Sequence, residues 1–160
     1  MSPEAQIDWL SGPADLDGVQ EVDRASFGTP WTRAMYEQEL THPGLAFIAV
    51  LRLPGTPVAG YCAYRIVADE LQINNVAVRP EFRRRGHGRA LVEFALRHAR
   101  DAGAATAFLE VRRSNQGARR LYHDLGFTLA ARRPRYYSKP EEDGLVMTRE
   151  VRILEQDPEA

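Results

Sequence analysis

The chain has 160 residues, 44% hydrophobic and 27% charged, with a net charge of -1. That profile excludes wholesale disorder, and folding at this length buries roughly 70% of the unfolded surface, so a core needs no disulfide, metal or partner. The longest apolar run, Leu45 to Leu51, falls far short of the roughly 20 residues that cross a bilayer, so no membrane association is expected.

One cysteine, Cys62, leaves no internal disulfide, and the acidic start Met1-Ser2-Pro3-Glu4 is unlike a secretion signal. A reducing, cytoplasmic setting is the expectation. Charge is uneven: residues 1–78 carry -6, 79–111 +3, 112–135 +6 and 136–160 -4. A near-neutral chain with a basic middle favours a local anion site over a broad nucleic-acid footprint. No repeat or linker interrupts the pattern, which reads as one domain over residues 1–152 with a frayed acidic tail at 153–160.

Gln6 to Leu10 reads as a short strand. Pro13 to Ser26 reads as a helix, with Leu16, Val19 and Val22 at three-residue spacing. A second helix is expected over Thr32 to His42, entered after Pro30-Trp31 and stopped by Pro43. The period then changes to strands at Leu45–Arg52, Pro57–Val67 and Leu71–Val78, whose short turns favour antiparallel neighbours. A helix follows from Gly86 to Ala102, with Leu91, Phe94, Ala95, His98 and Ala102 on one face and Gly103 beyond its end. Thr106 to Val111 is a strand. Asn115 caps a helix facing inward through Ala118, Leu121, Tyr122 and Leu125, which Gly126 terminates. Strands at Phe127–Tyr137 and Leu145–Ile153, joined by Lys139 to Gly144, complete a mixed α/β sheet.

The strand, loop and helix start from Leu71 to Leu91 form an anion cradle. Gly86 and Gly88 allow a tight turn, the helix N-terminus offers free N–H groups, and Arg84, Arg85 and Arg89 add charge. The loop lacks the Gly-Lys-Ser/Thr of a nucleotide P-loop and the third glycine of a dinucleotide fingerprint.

Arg83-x-x-Gly86-x-Gly88 after Asn75-Val76-Ala77-Val78 resembles the acetyl-CoA pyrophosphate loop of the GNAT acetyltransferase superfamily. Leu109-Glu110-Val111-Arg112-x-Ser114-Asn115, then Ala118, Leu121-Tyr122 and Leu125-Gly126-Phe127, resemble the second half of its signature. The run, with Ser26-Phe27-x-x-Pro30-Trp31, Arg135-Tyr136-Tyr137 and Glu142-Asp143, is most similar to the RimI-type ribosomal-protein alanine N-acetyltransferases. The resemblance covers roughly residues 7–150.

It implies a GNAT fold: a mixed, mostly antiparallel sheet splayed near its centre, helices on both faces, and acetyl-CoA in the splay. It assigns Val76, Ala77 and Val78 to main-chain contacts with the pantetheine arm. Arg83, Arg84, Arg85, Gly86, His87, Gly88 and Arg89 fall to the pyrophosphate, and Asn115 to a further cofactor contact beside its capping role. It makes Glu110 a general base and Tyr122 a general acid for direct acetyl transfer. Phe27, Trp31 and Tyr137 become acceptor-site candidates. The implied acceptor is a protein N-terminus, in the first place the alanine of a small-subunit ribosomal protein, with a monomer compatible with everything above.

The residues alone leave alternatives. Glu110 shares a strand face with Thr106 and Phe108 and could instead pair with Arg112 or Arg65; Tyr122 has the spacing of a core residue. Lysine side chains, small amines, a non-catalytic CoA sensor and an RNA-binding module are the rival functions. The net charge and the absence of aromatics between Arg83 and Arg85 weigh against RNA. The four histidines show no metal-ligand spacing, so no metal is expected, and Cys62, between apolar neighbours in a strand, is a core residue rather than a nucleophile.

Overall fold

The computed structural model describes residues 4–151. In chain order these form β1 (Gln6–Trp9), α1 (Gly12–Ser26), α2 (Arg33–Glu39), β2 (Ala46–Leu53), β3 (Thr56–Val67), β4 (Glu70–Val78), α3 (His87–Asp101), β5 (Thr106–Arg112), α4 (Gln116–Asp124), β6 (Thr128–Tyr137) and β7 (Glu142–Glu150). The strands hydrogen-bond in the order β1-β2-β3-β4-β5-β7-β6. β4 and β5 run parallel, whereas β1–β2, β2–β3, β5–β7 and β6–β7 are antiparallel. This is the mixed, mostly antiparallel α/β sheet that the sequence implies. The expected fraying of residues 153–160 lies outside the described residues, as does the end of the strand expected to reach Ile153.

The contacts group into two compact units. One runs from the N-terminal residues to Arg65 and takes in Asn75–Ala95; the other comprises Ile66–Asn74 and the residues from Leu96 onward. β4 thus gives its first half to one unit and its second half to the other.

In the first unit the three-residue spacing of α1 does what its period demands: Leu16, Val19 and Val22 are buried with Ile48, Val50, Val58, Tyr61 and Ala63. Each buried Leu, Ile or Val among them contributes about 1.5–3 kcal/mol of burial free energy. Gly60 of β3 marks a close backbone approach, since a Cβ there would lie 2.7 Å from the Ala77 carbonyl oxygen of β4. Within this core Asp23 is fully buried, yet both carboxylate oxygens are satisfied, one by the Tyr36 hydroxyl and the other by that of Tyr61. Arg52 clamps Asp15 through two hydrogen bonds of 2.9 and 2.8 Å and reaches Asp8 at 2.6 Å, tying β2 to α1 and β1.

In the second unit β5 alternates as its sequence requires. Ala107, Leu109 and Val111 are buried, and Thr106, Phe108 and Glu110 occupy the opposite face. Tyr122 of α4 and Leu125, which caps its C-terminus, are buried, with the Tyr122 ring edge-on to Phe127 at 5.9 Å. β6 is exposed along nearly its whole length, and its register with β7 shifts between Leu129 and Ala131 and again between Arg133 and Tyr137.

Most element ends fall within a residue of the sequence reading; two boundaries and one buried face differ more. α2 ends at Glu39 rather than His42, because Leu40 caps it and Thr41 turns back onto the Gln38 carbonyl ahead of Pro43. β7 starts at Glu142, three residues early, since Arg112 and Ser114 bind that carboxylate and hold the hairpin base in register. The buried face of α3 runs through Leu91, Val92, Ala95, Leu96 and Ala99; Phe94 and His98 are half-buried and Ala102 is exposed.

Candidate active site

The first set of candidate residues lies at the end of β4 and the start of α3. Ala77 and Val78 are buried and Val76 is half-buried. A 3-10 turn over Pro80–Phe82 leads into the arginine run. Arg84 and Gly86 both take positive φ, 62° and 82°, so the chain turns tightly just before α3. Glycine meets that demand at no steric cost. The Ala90 N–H bonds to the Gly86 carbonyl at 3.0 Å, starting a 15-residue helix. Earlier N–H groups of its first turn have no intrahelical acceptor and, with the helix dipole, favour an anion.

The arginines divide their labour. Arg83 is committed within the protein: Nε donates to the Val78 carbonyl at 2.8 Å and Nη2 to Ser26 Oγ at 3.1 Å, fastening the loop to β4 and to the end of α1. Arg84, Arg85 and Arg89 are exposed. Arg85 stands over the Phe82 ring, and Arg89 lies 3.5 Å from Glu93 one turn on. His87, expected among the residues that meet the pyrophosphate, is the first residue of α3 and buried, and its Nδ1 has no hydrogen-bond partner. Burial, helped by the charge of Arg85, lowers its pKa below 6.5. The exposed cations, the two positive-φ residues and the helix N-terminus suit the diphosphate of a CoA thioester.

The second set lies on β5, α4 and β6. Glu110 Oε1 lies 3.2 Å from Nη1 of Arg133, while Oε2 is buried without a hydrogen-bond partner. Neither Arg112 nor Arg65, the partners weighed from sequence, holds this carboxylate. Arg112 donates to Glu142 at 3.1 Å and covers the Tyr137 ring at 4.4 Å, and Arg65 makes a two-pronged pair with Glu39 at 2.7 and 2.5 Å. A hydrogen bond from the Tyr136 hydroxyl to the Glu110 carboxylate raises the phenol pKa of Tyr136, burial adding to it, and Arg133 lies over the same ring at 5.1 Å. Burial, reinforced by the charge of Glu110, pushes Tyr137 up to about 12.

Asn115 caps α4, its side chain accepting from the Ala118 N–H at 3.1 Å. Beside that cap an open pocket of about 550 Å³ is lined by Arg113, Ser114, Gln116, Arg119, Glu142 and Asp143. Glu142 accepts from Ser114, which leads in lowering its pKa, with Arg112 adding to the effect. Of the acceptor-site candidates, Phe27 is exposed just beyond α1, whereas Trp31 packs on the Tyr36 ring at 5.2 Å against the core. No local sequence pattern marks Arg133 or Tyr136 as a partner of Glu110, since both reach it from β6 across β7.

Among the described residues no group of three or more His, Cys, Asp and Glu is placed to hold a metal, and no helix is long and apolar enough to cross a membrane. Cys62 is fully buried, which raises its thiol pKa far above the ordinary value.

Residues 16–127 match the family model described as acetyltransferase (GNAT) family. A relative from Bacillus subtilis, named as a putative ribosomal protein bS18 alanine N-acetyltransferase, is 37% identical over 133 residues, 83% of this chain and 87% of the relative. The Escherichia coli K12 enzyme named as acetylating the alanine of bS18 is 31% identical over 135 residues, 83% and 89% of the two chains. The crystal structure of the Escherichia coli ribosomal-protein-S18-alanine N-acetyltransferase superposes with a TM-score of 0.83 at 30% identity, covering 92% of this chain and 94% of that one. The glycine-arginine loop into α3 and the Glu110–Tyr122 signature therefore sit in a protein that belongs to the GNAT acetyltransferase family, an acetyl-CoA-dependent N-acetyltransferase.

Proposed function

We propose that the chain acetylates the α-amine of a protein N-terminus, in the first place the N-terminal alanine of a small-subunit ribosomal protein, the acceptor named for its relatives. Such an acceptor goes with a cytoplasmic enzyme. The observation that carries the reading is the state of Glu110: one oxygen is held by Arg133 and the other is buried and unpartnered. A carboxylate oxygen kept from water without a donor is costly for stability and suited to receiving a proton.

Acetyl-CoA supplies a thioester carbonyl. Arg84, Arg85 and Arg89, with the first N–H groups of α3, hold its diphosphate; Arg83 keeps their loop on β4. Main-chain groups of Val76, Ala77 and Val78 align the pantetheine arm, and an N–H there stabilises the oxygen that gains charge in the transition state. Glu110, directly or through water, takes the proton that the acceptor ammonium must lose. The Tyr122 hydroxyl protonates the departing sulfur while its ring packs on Phe127. An α-amine has an ordinary pKa of about 8 against about 10.4 for lysine, so a terminal amine is the easier acceptor to deprotonate near neutrality. No acyl-enzyme is needed, in keeping with the buried, unreactive Cys62.

Intact-mass detection of acetyl transfer to two peptides tests this: one begins with a free alanine and lacks lysine, the other has a blocked terminus and an internal lysine. Modification of the first alone is expected. Modification of the second alone would overturn the N-terminal reading and make lysine the acceptor.

A further inference from the structure

We infer that Arg133 is a positioning residue for Glu110, holding one carboxylate oxygen and so fixing the orientation of the whole carboxylate. The inference rests on reading Glu110 as the base. It begins from register. β7 lies between β5 and β6, with Glu110 opposite Val146 and Arg112 opposite Gly144 on one side, and Arg133 opposite Gly144 on the other. Residues paired across strands share a face, and so do residues two apart along a strand. Arg133 therefore projects from the same sheet face as Glu110, two residues away in register along β7 and two strand spacings across, the latter alone roughly 10 Å. A long side chain is needed to cover that span.

Gly144 leaves room on the strand between them for Tyr136, since a Cβ there would meet the Tyr136 ring at 3.0 Å. The shift in register between Arg133 and Tyr137 and the positive φ of Arg135, 54°, bring Tyr136 back over β7. The guanidinium of Arg133 then lies over the Tyr136 ring at 5.1 Å while reaching Glu110 Oε1 at 3.2 Å. The pair is not a stability device, because side chains as open as these, 53% and 28% exposed, gain little from pairing. Its effect falls on geometry. Without Arg133 the Glu110 side chain regains its rotamers and Oε2 loses its fixed direction, and loss of aim at a reacting proton is costly in rate.

Steady-state kinetics with acetyl-CoA and the peptide that the wild type modifies are the test. Arg133→Gln is expected to lower kcat about 10- to 100-fold with the KM for acetyl-CoA within about two-fold and the melting temperature unchanged. Arg133→Lys, keeping charge and most of the reach, recovers much of that loss, and added guanidinium ion partly rescues Arg133→Gln but not Glu110→Gln. Arg132→Gln removes the same charge one residue away on β6, from a side chain 3.6 Å from Asp143, and leaves the rate unchanged. Because Arg133 acts through Glu110, the double variant Arg133→Gln/Glu110→Gln is no slower than Glu110→Gln alone. Full activity in Arg133→Gln beside a crippled Glu110→Gln, or losses that multiply in the double variant, would overturn the positioning role and leave Glu110 as base. An active Glu110→Gln would remove the base itself.

Discussion

Two carboxylates in this chain show opposite treatment of the same group. Asp23 is fully buried, and each of its oxygens accepts from a tyrosine hydroxyl, Tyr36 on one side and Tyr61 on the other. Glu110 is only partly covered, one oxygen lies beside Arg133, and the other is buried with no donor. A satisfied carboxylate joins elements: Asp23 links α1 to α2 and β3 in the core that Trp31 also packs against. A half-satisfied one has a cost that folding does not recover, and such a cost persists where the group is used.

Exchanging each carboxylate for a neutral side chain should collapse a different property at each site. Glu110→Gln is expected to lower kcat/KM by about 10²- to 10⁴-fold with unfolding free energy unchanged within about 0.5 kcal/mol, because its partners Arg133 and Tyr136 are both largely exposed. Initial rates paired with urea unfolding check both halves. A Glu110→Gln protein that keeps its rate but loses stability would make Glu110 the structural group of the two.

Asp23→Ala is the converse. It strips the acceptor from two tyrosine hydroxyls inside the core; Tyr36 can still donate to Tyr61 at 3.1 Å, so one donor is left unsatisfied at about 1–3 kcal/mol and a loss of about 2 kcal/mol is expected. The variant that remains folded at low temperature keeps its kcat. Restoring volume without polarity, as in Asp23→Leu with Tyr36→Phe and Tyr61→Phe, regains part of that loss, since removing all partners together leaves nothing unpaired.

The local pattern of the chain anticipates only one side of the comparison. Two-residue alternation in Thr106–Val111 places Glu110 on the face away from Ala107, Leu109 and Val111, and the spacing of Asn115 to Tyr122 gives α4 its cap and inward face. The turn at Gly86 and the helix after it are equally local. Partners are not. Arg133 reaches Glu110 from 23 positions away across an intervening strand, whereas the near neighbour Arg112 is drawn to Glu142, 30 positions off. Predicting either pair requires the strand order β5-β7-β6, which periodicity within a segment does not contain. Asp23 adjoins the buried Val22, and its partners are 13 and 38 positions away, so nothing local separates it from a solvent-facing acid of α1. Arg83 reads as one more cation of the anion loop, yet its guanidinium is taken by Val78 and Ser26, which only the folded chain brings to it.

The smallest effect is also the one that separates two buried acids of the same unit by sign. Burial raises Asp23 above the ordinary 3.8, outweighing the two tyrosine hydrogen bonds, whereas the hydrogen bonds from Arg52 hold Asp15 below 3.8. A folded pKa above the unfolded one means stability that is full below 3.8 and lost as pH rises through the folded value. A folded pKa below it means stability present above 3.8 and lost as pH falls through the folded value. Urea unfolding of wild type, Asp23→Asn and Asp15→Asn from pH 3 to 7 separates the two. The advantage of wild type over Asp23→Asn should shrink as pH rises, and its advantage over Asp15→Asn should grow. Equal slopes in the two series would mean that the tyrosine hydroxyls hold Asp23 ionised as firmly as Arg52 holds Asp15, and would place Asp23 among the paired charges of the fold.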